Sequence, residues 1–266
     1  MVFEQFFKTE WLQRRPLDAF LLGALYSLMG IISAKLIFGR NPSLMTVAFT
    51  SILLIPSLNS LMRQEARTII RENISWTALF RNHKTTFITY IFLFLGIFTT
   101  FAAISISLPS NSVLALFSTQ LEAANIAGKA ADPSCNYLGI DFGNRFLCIV
   151  FNNIIIFFIC FLLSLVYGAG AVLFITWNAS VWGVAFGFAA RTLIIPAFPH
   201  MITEAASYLS AAIAGGVLSK AVIHEKLGSK NFYRILGDSL ILFAIGFFLV
   251  IIAGYLEVYV FPFIRG

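Results

Sequence analysis

Apolar residues fall in seven long runs separated by short polar stretches: Leu17–Phe38, Leu44–Met62, Phe87–Leu108, Phe146–Tyr167, Ala171–Ile195, Met201–Ile223 and Ser239–Phe261. Each is near the roughly 20 residues that an α-helix needs to cross a bilayer. The pattern predicts an all-α, polytopic transmembrane helical bundle of about seven spans, with six or eight left open. The doubtful place is Phe146–Ile195, apolar throughout and interrupted only by Gly168 and Gly170. Paired glycines permit a tight reversal there, and a re-entrant segment is the alternative.

Two connecting segments are long. Arg63–Thr86 alternates Ile69, Ile70, Trp76, Leu79 and Phe80 with Arg67, Arg71 and Arg81, which predicts an amphipathic helix lying on an anionic leaflet or on a partner. Pro109–Asn144 begins with a helix-like stretch, Val113–Ala127, and then becomes turn-rich through Asp132, Pro133, Asn136, Gly139 and Gly143. The chain divides on this basis into a three-span region with its connector (1–108), an outer loop (109–145) and a four-span region (146–266).

Composition agrees with a membrane location. Of 266 residues, 59% are hydrophobic and 11% charged, with mean hydropathy +0.88. A soluble domain carries about 25% charged residues, so a water-soluble globule and a disordered chain are both excluded. The net charge of +6 is spread between apolar runs, which argues against nucleic acid and for orientation signals. With the N-terminus inside, twelve basic residues fall on the cytoplasmic side: Lys8, Arg14, Arg15, Arg63, Arg67, Arg71, Arg81, Lys84, Lys220, Lys226, Lys230 and Arg234. Five fall outside (Arg40, Lys129, Arg145, Arg191 and Arg265), and Lys35 lies within the first span. The bias predicts a multi-pass protein of the cell membrane with a cytoplasmic N-terminus and an outer C-terminus. The first run is longer than a signal-peptide core and reads as an anchor.

Candidate chemistry is sparse. Cys135, Cys148 and Cys160 lack zinc-ligand spacing, and whether Cys135 pairs with Cys148 is left open. Nucleotide-binding, metalloprotease and serine-hydrolase signatures are missing, so neither a cofactor nor a metal is expected. Gly183 and Gly187, and Gly215 and Gly216 in the small-residue sixth run, suit close helix packing.

Polar residues inside the spans are the informative ones: Asn152, Asn153, Asn178, His200, Glu204 and Glu257. At about 1.5 Å per residue, Glu204 and Glu257 each lie about 5–6 Å from the outer boundary and Asn153 about 10 Å from it. Three helices thus bring polar groups to one level, and intramembrane acids usually face a bundle interior. His200 and Glu204 share a helical face, following Pro196 and Pro199 at a helix start. A capped, cross-linked helix end accounts for them, with a metal or acid–base site as the sharper alternative.

Three motifs resemble one known family in order: Asn152-Asn153 with Gly168, Gly170 and Asn178; Phe198-Pro199-His200 with Glu204 and the run Ala212–Gly216; and Ala253-Gly254-Tyr255-Leu256-Glu257 leading to Pro262. Over about 146–262 the chain resembles the stage II sporulation protein M family, with Met201 where that family usually carries Gly. The resemblance implies a non-enzymatic scaffold or subunit of a larger membrane complex. Expected partners are the bilayer, other membrane proteins (in a homo- or hetero-oligomer) and anionic lipid at the cytoplasmic loops. A permease or export component, and then an intramembrane hydrolase, are the alternatives.

Overall fold

A computed structural model of the protein describes residues 15–39, 42–71, 76–124, 136–137, 140–141, 144–188 and 198–260. They form eight α-helices: α1 Pro16–Phe38, α2 Ser43–Arg71, α3 Trp76–Ser107, α4 Ser110–Ala123, α5 Arg145–Tyr167, α6 Val172–Phe188, α7 Phe198–His224 and α8 Lys230–Tyr255. A π-helical turn, Leu256–Val260, continues α8, and a two-residue antiparallel pair joins Asn136–Tyr137 to Ile140–Asp141. The protein is an all-α polytopic membrane protein. Six helices are long and apolar enough to cross a bilayer.

The fifth apolar run, Ala171–Ile195, is described as a helix over Val172–Phe188. At 17 residues α6 spans about 25 Å, against a hydrocarbon core of about 30 Å. Its packing shows that it nevertheless traverses the bundle. A Cβ at Gly183 would lie 2.5 Å from the Phe98 carbonyl of α3, and one at Gly187 would lie 2.7 Å from that of Ala102. Thus α6 runs parallel to α3 and ends level with Ser105. At its other end Gly168, with φ of 73°, makes the reversal out of α5, and Ser164 Oγ accepts from the Ala171 N–H at 3.2 Å.

The remaining directions follow in the same way. Gly96 lies against Phe20 and Ala24, so α1 and α3 are parallel; Gly254 lies against Val150 and Gly246 against Phe157, so α8 opposes α5. Helices α1, α3, α6 and α8 leave the end that holds Asn59 and Lys220, and α2, α5 and α7 return to it. The helices form two groups. One is α1, α2, α3 and α6, with α4 laid across α2 and α6; the other is α5, α7 and α8, joined to the first chiefly through α2 against α7.

Phenylalanine supplies much of the packing. Phe157, Phe161 and Phe243 tie α5 to α8 with ring centroids 4.8 and 4.9 Å apart, and Phe94–Trp182 ties α3 to α6 at 5.3 Å. Helix α7 is the hub. Of its apolar window 78% is buried, against at most 39% in any other span, because its Ala, Ser and Gly residues let neighbouring backbones approach.

Two helix boundaries differ from the edges of the apolar runs. Arg63–Thr86 is helical at both ends, as extensions of the flanking spans: α2 continues to Arg71 and α3 begins at Trp76. Likewise α8 starts at Lys230, not Ser239, with the Ser229 hydroxyl accepting from the Phe232 N–H at 3.2 Å as an N-cap.

The candidate intramembrane acid cluster

Helix α7 starts with Pro199 in its first turn, where a missing N–H costs nothing. That start places His200 and Glu204 on one face. Glu204 and Glu257 lie within electrostatic range of each other, and Tyr208, one turn below Glu204, interacts with both acids and with Cys160 of α5. Arg145, the first residue of α5, lies within range of Glu257 as an opposite charge. Glu257 sits in the π-helical turn, which packs against α7. Phe146 stacks on Tyr259 with centroids 5.8 Å apart, holding the turn against α5.

Asn153 is 5% exposed on α5 and accepts from Asn152 Nδ2 at 3.1 Å. The α5–α7 register, set where Gly215 meets Phe161 and Leu165, puts Asn153 level with Glu204. Glu204, Glu257, His200 and Asn152 are each half-buried. Asn178 is not part of the group: it lies on α6 and donates back to the Phe174 carbonyl of its own helix at 2.9 Å. No group of three or more His, Cys, Asp or Glu side chains that could hold a metal occurs among the described residues.

The four glycines singled out from sequence all lie in contacts inside the chain. Gly183 and Gly187 meet α3; a Cβ at Gly215 would lie 3.0 Å from Leu165 N, and one at Gly216 2.6 Å from the Gly168 carbonyl and 2.8 Å from Met62 Sδ. These surfaces are occupied and are not free for a partner. Cys148 is disulfide-bonded and Cys160 is a free, buried thiol. With three cysteines in the chain, the remaining one is Cys135, which lies outside the described residues.

Several residues of consequence carry no motif. Asp238 of α8 is a buried acid, and Lys220 of α7 a buried base. Gln120 of α4 is fully buried and locks onto the start of α2: Ser43 Oγ donates to its Oε1, and its Nε2 donates to the Ser43 carbonyl at 3.1 Å. The backbone N–H of Thr119 also donates to Ser43 Oγ at 3.1 Å. Nothing in the sequence sets Gln120 apart from its polar neighbours Ser118, Thr119 and Glu122.

Crossing helices of alternating direction, a small-residue hub and a polar cluster at membrane depth define a multi-pass helical membrane protein. The family model described as Stage II sporulation protein M matches residues 88–262, and the chain belongs to that family. The match starts inside α3, well before the motifs at 146–262, and the packing of α6 on α3 gives a physical reason: the later helices need α3 to complete their core. No curated protein and no solved structure matches the chain.

Proposed function

We propose that the protein is a non-enzymatic, membrane-embedded subunit of a larger protein assembly, and that the Glu204–Glu257 pair is where a partner engages it. One observation carries this reading. Two carboxylates, on α7 and on the π-helical turn after α8, lie within range of each other, half-buried, with Tyr208 and Arg145 nearby. Acids so placed are costly, and a donor or cation from another chain would offset that cost. The family resemblance, with its shared thread of membrane assemblies, points the same way. A permease is the second reading, favoured by the Asn153, Glu204 and Glu257 groups meeting at one level, where they could pass a proton or cation.

Substitution separates the two. Glu204→Gln keeps shape and some hydrogen bonding and should retain most of the assembly; Glu204→Leu should weaken it further. Single interhelical polar contacts are worth about 0.6–2 kcal/mol, so both variants should insert normally. Co-purification of partners from mild detergent reads the result. An intact complex with all function lost in the Gln variant would sink the subunit reading in favour of the permease.

The orientation belongs to the same proposal. The basic residues predict that the end with Asn59 and Lys220 is cytoplasmic. The disulfide at Cys148 lies at the opposite end, as an oxidising outer compartment requires. Cysteines introduced at Ser110 and Ser229 should therefore differ: an impermeant reagent added outside should label the first and not the second. Labelling of Ser229→Cys on intact cells would reverse the assignment.

A further inference from the structure

We propose that the Lys220 end of the bundle carries a binding site for a phosphate-bearing anion, the headgroup of an anionic phospholipid, formed by Lys220, Arg63 and Asn59 beside the Gly168 turn. Lys220 is 9% exposed. Its ammonium has three donors, and among the described residues it has one hydrogen-bond acceptor, Asn59 Oδ1 at 3.2 Å. The charge that acts on it most is Arg63, of like sign. A second cation, Arg63 of α2, thus acts on the buried Lys220 ammonium, whose acceptor is a neutral amide, and no carboxylate pairs with either among the described residues. Such an arrangement is electrostatically incomplete until an anion sits across both cations.

The backbone is shaped to hold Lys220 there. A Cβ at Gly168 would meet Asn59 Oδ1 and lie 2.7 Å from Lys220 Nζ, so a glycine leaves room for the amide and the ammonium together. The last turn of α5 also ends at Gly168, and its free carbonyls favour a cation nearby. Arg63 is exposed. Arg63 immediately follows the apolar run Leu44–Met62, at the depth of lipid headgroups. The site is built from three different elements and is distinct from any general attraction of the basic segments for a negative surface.

The test uses the full-length protein in nanodiscs of phosphatidylcholine, with a rising mole fraction of phosphatidylglycerol and thermal unfolding as the readout. The wild type should gain a saturable rise in Tm. The half-saturating fraction should increase about five-fold in Arg63→Gln and at least as much in Lys220→Gln, and stay unchanged in Lys226→Gln, an exposed base at the same end. Arg63→Gln alters an exposed side chain and keeps the test alive if Lys220→Gln folds poorly. A parallel arm adds inorganic phosphate to phosphatidylcholine discs at constant ionic strength. No effect there supports the lipid headgroup, whereas a rise that both variants lose keeps the anion site and makes its ligand a soluble phosphate. The proposal is overturned by no saturable rise, by a rise that survives in both variants, or by an equal loss in Lys226→Gln.

Discussion

Gly96→Leu should break the contact between α1 and α3 and lower stability by about 3 kcal/mol or more, beyond the usual range for overpacking. A Cβ at Gly96 would meet the Phe20 carbonyl and lie 2.9 Å from Ala24 N, and one at Gly23 would face the Leu93 carbonyl and lie 3.3 Å from Ile97 N. Each glycine thus lies against the backbone of the opposite helix, so no side chain can swing away to make room. The Thr100 hydroxyl, which reaches the Ala24 carbonyl at 3.3 Å, would be pulled off as the helices part. Gly96→Ala should show a smaller loss of the same kind. Gly237, also inside a helix, has open space where its Cβ would go. Gly237→Ala should therefore leave stability unchanged or raise it by about 0.5–1 kcal/mol. Thermal unfolding in one detergent orders the variants, and a Gly96→Leu protein as stable as wild type would refute the close crossing.

Gln120→Leu should cost about 1–3 kcal/mol, the penalty for leaving a buried donor unsatisfied. Its amide is the acceptor for Ser43 Oγ and the donor to the Ser43 carbonyl. Leucine fills the volume and supplies neither group. Because Gln120 holds α4 across the start of α2, the loss should appear first as local opening, with faster amide exchange in α4 than in α3. Gln120→Glu keeps an acceptor for Ser43 but sets a buried oxygen against the Ser43 carbonyl in place of the donor, and should cost at least as much. Unchanged exchange in α4 for the Leu variant would mean that the apolar contacts of Val113, Phe117 and Leu121 hold the helix alone.

Much of this was readable in the chain, and the exceptions have physical causes. Apolar runs reveal spans because hydrocarbon tolerates little else. The helix ends at Arg71, Trp76 and Lys230 lie beyond the edges of the apolar runs, because an α-helix continues through polar residues where no Gly, Pro or cap intervenes. Depth arithmetic put Glu204 and Glu257 at one level, but it holds no information about which helices are neighbours. The pairing of α6 with α3 was hidden for that reason, and so were the roles of Gly23 and Gly96, which form no motif. Lys220 lies near the end of the apolar run Met201–Ile223 and counts in the sequence only as an orientation charge. Only the last turn of α7 shows that its side chain is inside the protein.

The central position of α7 also bears on how the protein is made. It is the least apolar of the six long helices and the most enclosed, yet it is synthesised after α1 to α6. Until it arrives, the faces of α2 and α5 that will contact it are exposed, and α7 has the lowest hydropathy of the six with which to drive its own partitioning. A nascent chain stalled before His224 is therefore a bundle without its axle, a natural substrate for membrane proteases, whereas the complete chain hides the same surfaces. Substitutions in α7 should then act on yield in the cell more strongly than on the properties of the molecules that reach the membrane.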